Sequence, residues 1–169
     1  MAEPHGATFR PYEAGDRDAL IALFEEYQDG FVVMDPLRRT RRMPGYAEAA
    51  LAEVVRVAHE ESGLFAVAED ETGIIGFVVA SVHRTTPTQE LEGPSETWGR
   101  VDELFVLDRF RGRAAGRELM EYAEGFLRAA GCASVRVGVF APNVLVHAFY
   151  RGLGYADRDI DLIKLLAEE

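Results

Sequence analysis

The sequence predicts an α/β fold: a single domain, residues 1–169, on a mixed central sheet, with elements in the order β-α-α-β-β-β-α-β-α-β. Three observations predict it. Apolar residues recur at helical spacing up to Gly63, and the period then changes to that of strands joined by an acidic, glycine-containing turn. A strong strand then runs through a small-residue turn into a long helix followed by another strand. Strand, helix, strand implies a parallel pair with a right-handed crossover, and the hairpin before it implies antiparallel neighbours.

In order, "ATFRPYEAGD" reads as a short strand and a turn. Asp16 is the expected N-cap of "RDALIALFEEYQDG", in which Leu20, Leu23, Phe24 and Tyr27 fall on one helical face. "FVVMDPLRRTRRMPG" reads as looser chain, with two prolines and a basic run from Arg38 to Arg42. "YAEAALAEVVRVAHEESG" is a second helix closing at Gly63. "LFAVAEDETGIIGFVVASVHR" is the hairpin, "TTPTQELEGPSETWG" an acidic loop, and "RVDELFVL" the third strong strand. A helix follows from about Ala114 to Ala130, then the strand "ASVRVGVFA" and a short helix in "PNVLVHAFYRGLGY" ended by its glycines. "RDIDLIKLLAEE" alternates and is expected as a last strand.

The chain has 169 residues, of which 48% are hydrophobic, enough for one compact core. A formal net charge of −11 argues against nucleic acid and anionic membrane as partners, since both select a positive surface. No window approaches the roughly 18 apolar residues of a membrane span, and "MAEPHGATFR" does not read as a signal peptide, so a cytoplasmic location is expected. Cys132 is the only cysteine, and His5, His59, His83 and His147 show no ligand spacing, so no metal site is expected.

Two constellations carry chemistry. "RFRGRAAG" lies between the end of a strand and the start of a helix, where backbone N–H groups lack partners and the helix dipole favours an anion. Gly112 and Gly116 remove side chains, Ala114 and Ala115 are nearly as small, and Arg109, Arg111, Arg113 and Arg117 concentrate positive charge in an acidic protein. A phosphate site and a merely arginine-rich connection both fit. In "APNVLVHAFYRGLGY", Asn143 opens a helix and Phe149–Tyr150 sit near its end. An ordinary N-cap and a core aromatic pair explain these residues, although a buried tyrosine can also protonate a leaving thiolate.

Together these stretches resemble the GNAT superfamily of acetyl-coenzyme A-dependent N-acetyltransferases. "DELFVLDRFRGRAAGREL" is similar to that family's central motif: a strand ending in Val106, then Arg/Gln-x-x-Gly-x-Gly/Ala beginning at Arg111. "NVLVHAFYRGLGY" is similar to its second hallmark, an Asn followed by Phe-Tyr and a Gly-aromatic pair. In the preferred frame the motif's first glycine falls on Ala114; the frame Arg109-x-x-Gly112-x-Ala114 fits the letters but displaces the helix.

The resemblance implies acetyl-CoA as cosubstrate, with no metal. The backbone of Phe105 and Val106 would meet the pantetheine arm. Arg111, Gly112, Arg113, Ala114, Ala115, Gly116 and Arg117 would hold the pyrophosphate. Asn143 and Phe149 would touch the coenzyme beyond it, and Tyr150 would be the general acid. A carboxylate is useful to deprotonate the attacking amine. Asp102 and Glu103 are adjacent on a strand and so expected on opposite faces, leaving one to serve; Glu103 is slightly preferred.

The acceptor pocket would draw on Tyr27, Phe31 and the acidic "QELEGPSETW" loop with Trp98. "RRTRR" either binds an acidic group or pairs with carboxylates. The acceptor would be a primary amine of a small molecule, amino acid, aminoglycoside or peptide, acetylated by direct attack in a ternary complex. A catalytically weak or inactive acyl-CoA-binding module is the alternative, suggested by Ala114. Homodimers are frequent among similar proteins.

Overall fold

A computed structural model of the chain describes residues 6–60, 62–112 and 114–166. The chain divides into two compact units, residues 1–138 and 139–169.

The first unit holds a five-stranded sheet in the order β1-β2-β3-β4-β5: Thr8–Pro11, Leu64–Asp70, Gly73–Arg84, Thr97–Val106 and Ser134–Val137. β1 through β4 pair antiparallel, and β4 pairs with β5 in parallel across the crossover helix α3, Ala115–Ala129. The remaining helices of this unit are α1, Arg17–Met34, and α2, Tyr46–Glu60. The second unit holds α4, Val144–Gly152. Among the described residues no helix is long and apolar enough to cross a membrane.

α1 and α3 cover opposite faces of the sheet. Phe77 of β3 stacks on Phe24 of α1, ring centroids 4.5 Å apart. Gly99 of β4 lies opposite Val82, on the other face of β3, and a Cβ there would come within 2.6 Å of the Leu127 side chain of α3. β2 and β3 are consequently buried through most of their length, and Leu119, Met120, Ala123 and Leu127 of α3 are fully buried. Leu119, Met120 and Leu127 each contribute roughly 1.5–3 kcal/mol by leaving water.

Several features differ from the sequence expectation, β5 among them, which stops at Val137 although "ASVRVGVFA" reads as strand to Ala141. α1 continues through "FVVM", read as looser chain, because Gly30 weakens a helix without removing a backbone donor and no proline intervenes before Pro36. It stops at Asp35, whose extended backbone (φ −74°, ψ 107°) is what a residue before proline adopts. Asp16 borders α1 but does not cap it with its side chain. Its carboxylate instead accepts both Nη atoms of Arg10 at 2.8 Å and the Glu13 amide at 2.8 Å. The strand expected over "RDIDLIKLLAEE" is not formed in its described part: residues 155–166 carry no regular structure, since alternation makes a strand only where a ladder partner is supplied, and residues 167–169 lie outside the described residues.

Candidate active site

The site is built around β4. β3 pairs with it along its whole length, but β5 pairs only with Trp98–Val101. Among the described residues no strand lies on the β5 side of residues 102–106. Phe105 and Val106 therefore lie on the part of β4 that has no strand on that side, just before the chain turns toward α3. The opposite edge is tightly closed, since a Cβ on Gly76 would lie 2.5 Å from the Phe105 carbonyl oxygen.

β4 also bulges where the β5 pairing ends. Val79 lies opposite Glu103 and Ala80 opposite Val101, so Asp102 is an extra residue. The bulge reverses the facing of the strand: Gly99 looks at α3, whereas Phe105 meets Tyr27 of α1. It also corrects the expectation that Asp102 and Glu103 face opposite ways. The Tyr27 hydroxyl donates to Glu103 Oε2, and the Ser81 hydroxyl, on the same face as Phe77, donates to Asp102 Oδ2 at 2.6 Å. Both carboxylates reach the α1 face.

Glu103 sits in an aromatic setting. The Tyr27 ring makes edge contacts with Phe31, Phe77 and Phe105 at centroid distances of 4.9, 6.0 and 5.5 Å. Burial raises the Glu103 carboxyl above the ordinary glutamate range, and the neighbouring Asp102 charge adds to this; the Tyr27 hydrogen bond partly opposes it. Tyr46, at the start of α2, is likewise raised by burial and by the charge of Glu103.

Asp102 lies 3.3 Å from Arg100 Nε and begins a polar row of which sequence reasoning singled out only Asp102 and Trp98. Ser81 gives its only proton to Asp102, so the His83 Nε2 at 2.8 Å donates its N–H to the Ser81 oxygen. His83 stacks on Trp98 at 4.4 Å, with the Arg136 guanidinium 3.8 Å from the other ring's centroid. The Trp98 indole Nε1–H is buried without an acceptor. The only signal for this row was the two-residue spacing of Ser81 and His83 within an apolar strand.

The loop joining α1 to α2 is held by Asp35, which accepts the amides of Leu37, Arg39 and Thr40 and the Thr40 hydroxyl. Those bonds hold its pKa down at about 2. In the basic run, Arg42 pairs with Asp29 at 2.7 Å and Glu25 at 3.2 Å.

The turn after β4 is fastened by Arg111, whose Nε donates to the Val106 carbonyl at 3.0 Å. Its guanidinium pairs with Asp108 at 2.7 Å and lies 5.6 Å from the Phe105 ring centroid. Gly112 takes φ +73°, a left-handed conformation that glycine adopts without strain. Ala114 stands at the N-cap of α3 and offers no side-chain acceptor. The helix ladder begins with Glu118 N–H to the Ala114 carbonyl, so the earlier amides at Ala115 and Gly116 have no acceptor within the helix. Arg109 lies over Phe110 at 5.0 Å, Arg117 is exposed, and Arg113 lies outside the described residues.

The second unit carries the other motif. Asn143 Oδ1 accepts the Val146 amide at 3.2 Å, which is an N-cap bond. Tyr150 is buried, with Phe149 at 5.3 Å and Tyr155 at 5.6 Å between centroids. His147 and Arg151 both pair with Asp157, at 2.6 and 2.8 Å. Among the described residues no group of three or more His, Cys, Asp or Glu side chains is placed to hold a metal ion.

A search of the curated proteins finds no match. The fold is similar to that of the tetramutant of the BH1408 protein from Bacillus halodurans, with a TM-score of 0.81, 18% identity and coverage of 94% of this chain and 99% of that one. It is also similar to glucosamine-6-phosphate N-acetyltransferase from Arabidopsis thaliana (TM-score 0.67, 18% identity, 96% and 100% covered). An aminoglycoside antibiotic 6'-N-acetyltransferase from Acinetobacter haemolyticus gives a TM-score of 0.70 at 15% identity, with 96% and 99% covered. The profile of the acetyltransferase (GNAT) family matches residues 20–155. With the open edge of β4, the uncapped start of α3 and this match over most of its length, the chain belongs to the acetyltransferase (GNAT) family and is an acyltransferase.

Proposed function

We propose that this acyltransferase moves acetyl from acetyl-CoA to a primary amine by direct attack within a ternary complex. One observation carries the reading. The bulge at Asp102 brings Glu103 to the α1 face at the point where β4 loses its β5 neighbour. A thioester seated along residues 102–106 would thus lie beside a carboxylate of raised proton affinity.

The residues of this stretch fit an acyl-coenzyme A. The stretch of β4 at Phe105 and Val106, which β5 leaves uncovered, would meet an amide-bearing pantetheine arm. The turn from Arg111 to Arg117, with unsatisfied amides at Ala115 and Gly116 and no side chain beyond Cβ at Ala114, suits a pyrophosphate. Asn143 and Phe149 would meet the coenzyme beyond the arm, although the Asn143 side-chain oxygen already serves the α4 cap. The coenzyme supplies the activated acyl group; the chain binds it and manages protons.

Glu103 would accept the proton of the attacking ammonium, directly or through water, with Asp102 as the second carboxylate of the same face. The amine nitrogen then bonds to the acetyl carbon, the C–S bond breaks, Tyr150 would give its proton to the departing thiolate, and the extra proton left on the new amide nitrogen would pass to solvent or back to the Tyr150 oxygen. The amine would come from a small molecule, an amino acid, an aminoglycoside or a peptide.

Calorimetric titration with acetyl-CoA is expected to show micromolar binding, and thiol release against a panel of amines identifies the acceptor. Gly116→Asp should weaken coenzyme binding at least tenfold by crowding and repelling the pyrophosphate, and unchanged affinity would dismiss this phosphate site. Tyr150→Phe should reduce turnover and spare coenzyme affinity. Ala114 in the turn favours one competing reading, a coenzyme-binding module without turnover. Tight acetyl-CoA binding with no thiol release for any amine would select it.

A further inference from the structure

The basic run "RRTRR", Arg38 to Arg42, plays no part in the proposed transfer, and its members differ. Arg42 pairs with Asp29 and Glu25. Arg38, Arg39 and Arg41 are exposed and have no carboxylate partner among the described residues, in a chain with 29 acidic against 18 basic side chains. The backbone that carries them is fixed. Asp35 accepts the amides of Leu37, Arg39 and Thr40. Arg38, between them, takes φ +52°, a left-handed conformation that is strained for arginine and persists only where its surroundings enforce it. Guanidiniums displayed from a fixed loop lose less freedom on binding than those of a mobile one.

The loop also returns to the site. Gln28 Nε2 donates to the Arg41 carbonyl at 2.9 Å, and Arg42 reaches back to Glu25 and Asp29. The run therefore lies along α1 beside Tyr27, whose hydroxyl holds Glu103. At the far end of the loop the Tyr46 amide donates to the Met43 carbonyl at 3.1 Å, and Tyr46 lies within range of the Glu103 charge. Leu37 and Met43 flank the arginines and are 41 and 57% exposed. Arginine and methionine beside exposed apolar carbon is the composition of a contact with another polypeptide; a site for phosphate alone has no use for the apolar part.

We propose that the acceptor is a peptide that docks on this loop, with its amine at Glu103 and its acidic and apolar side chains on Arg38, Arg39, Arg41, Leu37 and Met43; this rests on Glu103 serving amine acetylation. Charge selects the occupant. Each guanidinium matches a carboxylate in a two-point contact, whereas a cationic peptide is repelled. The net charge of −11 opposes an acidic peptide at long range, but salt screens that field within about 8 Å at 0.15 M, so the local arginines decide. Tyr27 and Asp35 are separated by about 12 Å of helix at roughly 1.5 Å per residue, which about four extended residues span at roughly 3.3 Å each. The first residues after the amine would thus meet the arginines.

Fluorescence anisotropy with the full chain tests docking without chemistry. The probe is a hexapeptide with a free N-terminal amine, alternating Glu and Leu, and a fluorophore at its C-terminus. At about 0.15 M salt it should bind about tenfold more tightly than the same peptide with Gln for Glu, since three exposed charge contacts of modest strength compound to about that factor. The triple variant Arg38→Gln, Arg39→Gln, Arg41→Gln, folded by circular dichroism, should bind the two peptides equally. Ser for Leu in the peptide should weaken its binding to the wild type. Equal affinity for the Glu and Gln peptides, or a preference that survives the triple change, overturns the proposal. Thiol release from acetyl-CoA then separates the acceptor from the chemistry. The Glu peptide should be acetylated with a KM about tenfold below that of the Gln peptide. Release with glucosamine-6-phosphate or another small amine, but not with the Glu peptide, overturns the peptide acceptor and leaves acetyl transfer standing. Peptide docking with no release for any amine overturns acetyl transfer instead and leaves the docking surface standing.

Discussion

Glu103 shows how one side chain acquires a chemistry that its residue type does not predict. Its carboxyl is raised above the glutamate range chiefly because burial removes the water that would solvate its charge. In the proposed reaction the base must be ionised, so the acid limb of kcat/KM against pH should lie above the ordinary glutamate value of about 4.3. Glu103→Gln should remove that limb and lower kcat/KM by about 10²–10⁴-fold, and an unaltered pH profile would show that another group is the base. Tyr27→Phe gives a finer test. The Tyr27 hydroxyl stabilises the ionised form, so its loss should raise the Glu103 pKa further and move the limb to higher pH. The linkage to folding has the opposite sense from a paired carboxylate. A folded-state pKa above the unfolded one stabilises the fold at low pH, and that contribution is lost as pH rises through the folded value. Glu103→Gln should therefore keep or increase thermal stability at neutral pH, separating a lost base from a lost fold.

Among the elements, β4 sets the limit of what could be read in advance. Its existence, its antiparallel neighbour and its parallel partner across α3 followed from periodicity and order. The facing of Asp102 and Glu103 did not, because alternation is a property of one strand, whereas the bulge arises in the register between two. The C-terminal segment makes the same point from the other side: "DIDLIKLL" alternates as a strand should, yet a strand needs a ladder that its own sequence cannot supply. α1 ran past the expected end because a single glycine, Gly30, weakens a helix without breaking it, exposed valines permit helix and only Pro36 forbids it. Asn143 and Ala114 were legible as positions on helix starts, since caps are local. Gly76 ties β3 to the site edge. A methyl group there would meet the Phe105 carbonyl at 2.5 Å, backbone that cannot swing aside like a side chain. Gly76→Ala should cost about 1–3 kcal/mol in denaturant unfolding. By prising β3 from β4 it should also weaken acetyl-CoA binding, which Gly99→Ala, whose new methyl meets the buried Leu127 of α3, should affect far less.

For the whole molecule, the net charge of −11 and the buried carboxylates pull the pH dependence of stability in opposite directions. Acidification neutralises excess negative charge and relieves repulsion, which favours the compact state. It also protonates Asp16 and Asp35, which depend on ionisation for their bonds. Both have lowered pKa values, Asp16 chiefly through Arg10 and Asp35 through the amides it accepts, at about 2 for Asp35. A lowered folded pKa gives stability that is present above the unfolded value, about 3.9, and lost as pH falls through the folded one. The repulsion acts between exposed charges and is screened within about 8 Å at 0.15 M salt, whereas the Asp16 and Asp35 bonds are short and shielded. The bonds should win at physiological ionic strength. The melting temperature is therefore expected to fall as pH drops from about 4 toward 2. Asp35→Asn should lie lower at pH 7 and show a shallower fall, converging on the wild type near pH 2. Asp16→Asn, which breaks a pair whose side chains are 10% and 28% exposed, should cost about 1.5–3 kcal/mol at pH 7. Thermal melts of the three proteins across this range decide the matter: an acid limb as steep in Asp35→Asn as in the wild type would assign the acid sensitivity to other carboxylates.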